Sequence, residues 1–121
     1  MSDVFVQQWA DAWARPDPAA IDALADPAIR VRWPGRDEPI TGADDWGKQV
    51  ARLRERLPDL RLEVTGHAVG DGVTFISWRA RATVAGRPAE WQGIDRMRLR
   101  DGRVAEALVV FDSAALTAPQ S

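Results

Sequence analysis

Hydrophobic and polar residues alternate along the stretch that ends at Arg100, which predicts a β-strand with two distinct faces. One face carries Trp91, Gly93, Asp95, Met97 and Leu99. The other face is polar apart from Ile94 and carries Glu90, Gln92, Arg96, Arg98 and Arg100. Turns at Ala85-Gly86 and Asp101-Gly102 bound this strand, because glycine readily adopts the positive φ that hairpin turns require.

The same patterns predict three helices and further strands along the rest of the chain. Helices are expected from a cap at Asp3 to about Ala14, after Asp17-Pro18, and from about Asp44 to Leu57. In the third helix, apolar residues recur every three or four positions, as in a core-facing helix. Strands are expected at 28–33, 60–69 and 73–84, around Asp95, and at 103–111.

This order of elements predicts an α+β fold, since the helices come first and a meander of strands follows. We expect a cone-shaped, curved antiparallel sheet whose concave face is covered by the three helices and encloses a pocket. Residues 1–121 are expected to form a single domain, with a frayed tail at about 113–121.

Composition excludes several classes of function. The 121 residues have a net charge of −2, which gives no electrostatic basis for a nucleic-acid partner. With no cysteine and one histidine, we expect neither a metal site nor a disulfide framework. No stretch reaches membrane-spanning length and no signal peptide is evident, so we expect a cytoplasmic protein without a membrane partner.

Asp95 is the main candidate for chemistry, because its carboxylate shares a face with hydrophobic residues. A carboxylate facing a core is costly unless it is paired, protonated or beside a cavity. An ion pair with one of the many arginines is the structural alternative, at roughly even odds from the residues alone.

Six tryptophans and no tyrosine make the chain unusual. Trp33, Trp78 and Trp91 have the strand parity to line the pocket, whereas Trp13 and Trp46 are expected in the core. A pocket ringed by tryptophan favours a flat, apolar or aromatic ligand. The predicted ligand-binding residues are Trp9, Trp33, Trp78, Trp91, Met97 and Phe111.

His67 lies on the outward parity of its strand unless a bulge beside Gly66 re-aims it. We expect a surface or interface histidine rather than a catalytic one. Arg79 and Arg81 share the outer sheet face with Arg96 and Arg98.

The chain resembles the nuclear-transport-factor-2-like superfamily, and in particular its ketosteroid isomerases, limonene epoxide hydrolases and SnoaL-type polyketide cyclases. The resemblance extends from the first helix to Phe111-Asp112. Its most telling segments are Ile40-Thr41-Gly42 after Pro34, Gly86-Arg87-Pro88, Ile94-Asp95-Arg96-Met97-Arg98 and Asp101-Gly102-Arg103-Val104. The fold hosts both enzymes and binding domains.

The resemblance implies that Asp95 stands where ketosteroid isomerases keep a protonated aspartic acid. The general base of those enzymes is replaced by Trp33, and Trp9 stands at about the place of their tyrosine. The epoxide hydrolases have Arg-x-Asp where this chain has Arg79-Ala80-Arg81, although Asp112 matches their later aspartate. The cyclases require only a pocket carboxylate acting as general acid and base, a role that Asp95 suits.

The leading hypothesis is therefore a cyclase- or isomerase-like enzyme without cofactor, acting on a small hydrophobic substrate of the polyketide or terpenoid class. Asp95 is its predicted catalytic residue, with Asp112 as a second polar group of the pocket. A non-catalytic ligand-binding domain is one alternative, and a dimeric interaction module filled by its own tryptophans is another. In this superfamily the outer sheet face often forms a homodimer interface.

Overall fold

The computed structural model of the protein describes residues 2–111 and the side chains of residues 4–111. Its helices are α1 (Ser2–Ala14), α2 (Pro18–Ala23) and α3 (Ala43–Arg56). Its strands are β1 (Ala25–Arg32), β2 (Ile40–Thr41), β3 (Arg61–Gly70), β4 (Val73–Val84), β5 (Arg87–Arg100) and β6 (Arg103–Phe111). Helices α1 and α3 and strands β3, β4 and β6 begin and end within two residues of their predicted positions, and α2 and β5 lie where they were expected.

The six strands form one mixed sheet in the order β2-β1-β6-β5-β4-β3. Strands β3 to β6 form the expected antiparallel meander, in which each strand pairs with the next along the chain. The sheet has free edges at β2 and β3 and is not closed into a barrel. Because α3 joins these two edges, the chain passes across the whole sheet between β2 and β3.

The pairing of β1 with β6 is parallel, which departs from the antiparallel sheet that we expected. The backbone N–H of Val104 donates to the carbonyl oxygen of Leu24 at 2.7 Å, directly before the first paired residues, Ala25 and Val104. Sequence alternation defines the faces of a strand but not its direction beside a distant partner.

Strand β1 begins three residues before the predicted start, because Asp26-Pro27 does not interrupt it. The register with β6 is irregular between Ala25 and Arg30, so the missing N–H of Pro27 breaks no regular ladder. Asp26 Oδ2 also accepts a hydrogen bond from the Ala28 N–H at 2.9 Å. The two-residue strand β2 was not predicted, since two residues are too short to show alternation.

Helix α1 also begins before the predicted cap, so Asp3 lies inside its first turn rather than in front of it. In β3 the register shifts between Val64 and Gly66, which places His67 opposite Ile76 and thus on the inward parity. The bulge therefore overturns the predicted outward parity of His67, although its side chain is exposed, as expected.

The three helices pack on one face of the sheet, giving the expected α+β architecture. Strand β5 shows the alternation most clearly, because Trp91, Asp95 and Met97 are buried whereas Ile94 and Arg96 are exposed. The helices bury an aromatic and aliphatic stripe against this concave face, made of Phe5, Val6, Trp9, Ala12, Trp13, Ile21, Trp46 and Val50. Within residues 2–111, no helix has the length and apolar character needed to cross a membrane.

Candidate active site

Asp95 lies in the middle of β5 and faces the helices. Only 5% of its surface is exposed, and no other ionisable side chain among residues 4–111 is buried. The indole N–H of Trp78, on the neighbouring strand β4, donates to Asp95 Oδ1 at 3.1 Å. Along the described chain no cation forms an ion pair with this carboxyl group, so the alternative of an arginine partner finds no support.

Burial changes the acidity of this group. Desolvation disfavours the carboxylate and raises the pKa of Asp95 from 3.8 to about 7. Hydrogen bonds from the indoles of Trp78 and, more weakly, Trp9 act in the opposite direction and lower the pKa. A carboxyl group with a pKa near 7 is present in both protonation states at neutral pH, so it can both donate and accept a proton.

Gly93 gives Trp78 the room to reach Asp95. A Cβ at position 93 would lie 2.2 Å from Trp78 Cζ2 and 2.6 Å from the carbonyl oxygen of Val110, which is too close for any side chain. The Trp78 ring therefore lies across the backbone of β5, two residues before Asp95. Sequence analysis did not assign this role, although an isolated glycine inside a strand signals a close approach.

Six aromatic rings form a chain that is closed into a loop by Asp95. Successive ring centroids lie 5.6–6.3 Å apart in the order Trp9, Trp13, Trp46, Trp33, Phe111 and Trp78. The two terminal members, Trp9 and Trp78, are the two indoles that interact with the Asp95 carboxyl. The loop combines rings from α1, α3, β4, β6 and the residue after β1.

A cavity lies inside this aromatic loop. Its volume is about 50 Å³, and apart from Asp95 its wall is apolar. The remaining lining residues include Ile29, Val31, Leu53, Leu60, Leu62, Ala80, Trp91, Val104, Ala107 and Val109. A cavity of roughly 150 Å³ can hold benzene, so the observed space suffices for water but not for an aromatic ligand.

Some of the residues that line the cavity are only partly buried. They include Trp33, Leu53, Leu62 and Phe111, whereas Trp9, Trp46 and Trp78 are buried. Trp33 and Phe111 pack edge to face at 5.6 Å. Each of these two rings also contacts a buried member of the loop: Trp33 lies 6.0 Å from Trp46, and Phe111 lies 5.8 Å from Trp78.

The structure places most of the predicted ligand-binding residues together. Trp9, Trp33, Trp78, Trp91 and Phe111 all line the cavity beside Asp95. Met97 faces the same way but is buried in the core and is absent from the cavity wall. Asp112 lies outside the described residues.

Two tryptophans that we expected in the core, Trp13 and Trp46, line the cavity as well. Arg79 and Arg81 lie on the outer face, where they form ion pairs with Glu63 and Glu90, and Ala80 between them faces the cavity. In the part of the chain that the structure describes, no three His, Asp or Glu side chains converge to hold a metal ion.

Family models show where this arrangement belongs. The model of the SnoaL-like domain family matches residues 6–107, which is most of the chain. The protein belongs to the SnoaL-like domain family. A comparison with curated proteins finds no match.

Solved structures share the fold of this SnoaL-like domain. IdmH from Streptomyces antibioticus, a proposed polyketide cyclase, is 20% identical with a TM-score of 0.81, covering 96% of this chain and 95% of its own. A protein with a ketosteroid isomerase-like fold from Catenulispora acidiphila, in complex with trimethylamine, is 16% identical with a TM-score of 0.83, and the match covers 94% of this chain and 89% of that protein. TerC, co-crystallised with polyporic acid, is 16% identical with a TM-score of 0.80 and coverages of 93% and 92%.

Proposed function

We propose that this SnoaL-like domain is a cyclase- or isomerase-like enzyme in which Asp95 moves a proton on a small hydrophobic substrate without a cofactor. The observation that carries the proposal is the setting of Asp95. It is a buried carboxyl group without a cationic partner among the described residues, hydrogen-bonded by the Trp78 indole, in the wall of an aromatic cavity. Its pKa of about 7 suits proton transfer in either direction at neutral pH.

The proposed step is the removal of a proton from a carbon next to a carbonyl group. The Asp95 carboxylate takes the proton, the C–H electrons form the enolate, and the carboxyl group holds the proton. Return of that proton to another carbon gives an isomer. Attack of the enolate carbon on a second carbonyl of the same molecule instead closes a ring, and Asp95 then protonates the new alkoxide. Neither route consumes an oxidant or a second reactant.

The substrate is held by the aromatic walls. Trp9, Trp33, Trp78, Trp91 and Phe111 offer flat apolar surfaces against which a planar ligand stacks. A ligand of this kind enters only if the half-buried Trp33 and Phe111 rings move, because the cavity is about 50 Å³. Support for an aromatic ligand also comes from TerC, whose structure contains polyporic acid, and from the polyketide cyclase assignment of IdmH.

Asp112 remains a prediction as the second polar group of the site. It follows Phe111, a lining residue, and the resemblance to epoxide hydrolases assigns it a catalytic place. In the experiment below, Asp112→Asn therefore has its own expected result, which is a slower reaction with unchanged dependence on the ionisation of Asp95.

The small cavity also favours a second candidate, an interaction module whose cone is filled by its own tryptophans. On that hypothesis the aromatic loop is a core, and the buried Asp95 orients two indoles rather than a substrate. The same experiment separates the two, because a filled core neither admits nor turns over a ketone.

The test is the exchange of the α-protons of indan-2-one for deuterium in D₂O, followed by ¹H NMR. The wild-type protein should accelerate exchange, and the rate should rise with pH to a plateau above about 7 as the carboxylate forms. Asp95→Asn should lower the protein-dependent rate by about 100-fold or more. Asp71→Asn, at the exposed turn between β3 and β4, is the matched control and should leave the rate unchanged.

The results assign one of the three hypotheses. Equal exchange in the wild type and Asp95→Asn contradicts the catalytic role. Binding of indan-2-one without exchange identifies a non-catalytic binding domain. Absence of binding identifies the filled interaction module.

We further propose a homodimer formed through the outer sheet face. Three of the large hydrophobic residues with high exposure lie there: Phe75, Ile94 and Val110. Ile94 pairs directly with Val110, and Phe75 is diagonal to Ile94 across the β4–β5 ladder, so the three form one patch. Separately, we propose a cytoplasmic location, as predicted from the sequence.

A further inference from the structure

The indole nitrogen of Trp13 is a buried hydrogen-bond donor without an acceptor among residues 4–111. Trp13 lies on α1, only 5% of its surface is exposed, and it lines the cavity. No other buried side-chain nitrogen or oxygen in the described part of the chain lacks a partner. By contrast, the equivalent N–H of Trp78 donates to Asp95.

An unpartnered buried N–H lowers stability, because the group gives up its hydrogen bond to water and receives nothing in return. The rings next to Trp13 in the loop offer no oxygen or nitrogen acceptor. Trp9 lies at a centroid distance of 5.9 Å with a tilt of 47°, and Trp46 at 6.3 Å with a tilt of 50°. Contact of the N–H with one of these ring faces is the competing explanation. It predicts that the donor is indifferent to ligands.

We propose that Trp13 Nε1–H is the anchor of the ligand and donates a hydrogen bond to a carbonyl oxygen. This inference rests on the proposed function and names its substrate class, a neutral cyclic ketone. Among the described lining residues there is no cation to compensate a carboxylate ligand, and the wall is otherwise apolar. A ketone offers one acceptor to one donor and leaves the rest of its surface for the aromatic rings.

Trp13 and Asp95 both line the cavity and belong to the same aromatic loop. Trp9 stands between Trp13 and Asp95, in ring contact with the first and interacting with the second. A planar ketone whose oxygen is held by Trp13 keeps its ring inside the loop that Asp95 closes. Specificity follows, because a hydrocarbon of the same shape leaves the Trp13 donor unpaired.

The experiment compares the binding of indan-2-one and indane, two molecules of nearly the same shape that differ in the carbonyl group. The dissociation constants are measured by ligand-observed NMR for the wild type, Trp13→Phe and Trp46→Phe. In the wild type the ketone should bind more tightly. Trp13→Phe should reduce the ratio of the dissociation constant of indane to that of indan-2-one about fivefold. This is the effect of losing one hydrogen bond between uncharged groups. Trp46→Phe, the matched control in the same loop, should weaken the binding of indan-2-one and of indane by the same factor, so that the ratio stays unchanged.

The indole N–H signal of Trp13 in the wild-type protein provides a second measurement that does not depend on the folding of a variant. After resonance assignment, indan-2-one should move this signal downfield and indane should not. A ratio unchanged by Trp13→Phe, or equal responses to the two probes, overturns the inference.

The failures of the two proposals are distinguishable. If deuterium exchange depends on Asp95 but the ketone preference does not depend on Trp13, only the anchor is wrong. If the preference depends on Trp13 but no exchange occurs, the anchor stands and the enzymatic role fails. If neither probe binds, both proposals are contradicted.

Discussion

At the scale of single residues, Asp95 makes the fold less stable as the pH rises. Its pKa is about 7 in the folded protein against an ordinary value of 3.8. Between these values the folded state binds more protons than the unfolded state, so stability falls with increasing pH. The stabilisation that protonated Asp95 gives the folded state is fully present below about pH 4 and is lost once the pH has passed about 7.

The free energy of unfolding should therefore fall across this window by about 4 kcal/mol through Asp95, since one pKa unit corresponds to about 1.36 kcal/mol. Asp95→Asn should remove most of this dependence, because an amide does not ionise. Urea denaturation at pH 4, 5, 6, 7 and 8 measures the effect. A fall of the same size in both proteins would mean that other groups cause it.

Gly93 provides a test of how Trp78 controls Asp95. In Gly93→Ala the new Cβ displaces the Trp78 ring, which weakens the hydrogen bond that lowers the pKa of Asp95. The pKa of Asp95 should therefore rise above about 7, and stability should fall. NMR titration of the carboxyl group measures the first effect. An unchanged pKa would show that Trp78 keeps its place despite the new methyl group.

Alternation along β5 correctly predicted that Asp95 faces inward, but it could not predict what Asp95 meets there. Strand parity reports a face, whereas the partner depends on Trp78, 17 residues away, and on the space above Gly93. An arginine partner was an equal expectation from sequence, because the chain contains many arginines. The unpaired donor of Trp13 is likewise a property of the assembled cavity and has no signal in the sequence.

At the scale of elements, hydrophobic periodicity sufficed for α1, α3 and β3 to β6. It failed where pairing with a distant strand decides the structure. Strand β1 continues through Asp26-Pro27 because β6 lies beside it, and the bulge at Val64/Gly66 changes the face to which His67 belongs. Such features depend on contacts between elements rather than on the residues of one element.

The glycine inside α3 allows a test of how the backbone of this helix contributes to stability. Gly47 is inside α3, and a Cβ added there has no heavy atom within 4 Å beyond its local surroundings. Gly47→Ala should stabilise the protein by about 0.5–1 kcal/mol, because alanine loses less backbone entropy on forming a helix. Thermal unfolding measures this change. A destabilising effect would mean that the new methyl group meets an obstacle.

At the scale of the whole molecule, the concave and outer faces of the sheet have different roles. The concave face holds the aromatic loop and the cavity, whereas the outer face combines arginines with the patch of Phe75, Ile94 and Val110. Rings from α1, α3, β4, β6 and the residue after β1 lie around the cavity beside one carboxyl group, an arrangement that no single segment encodes. The sequence therefore predicted the residue types of the site but not its volume.

The outer patch leads to a prediction about assembly. If it forms a homodimer interface, Ile94→Arg should shift sedimentation equilibrium toward the monomer, because the charge must be desolvated in the interface. Val69→Arg is the matched control. Val69 is similarly exposed, at 52% against 49% for Ile94, but lies on the other parity, opposite Thr74. A monomeric wild type, or equal effects of the two variants, would contradict this interface.

The pKa of Asp95 decides whether this residue is a desolvated acid in an aromatic cavity. The ¹³C shift of the Asp95 carboxyl carbon is followed from pH 3 to pH 9, and its absence in Asp95→Asn identifies the resonance. We expect a midpoint at about 7, with a further change when indan-2-one is added. A midpoint at or below 3.8 would show a stabilised carboxylate and contradict the proposed acid–base site.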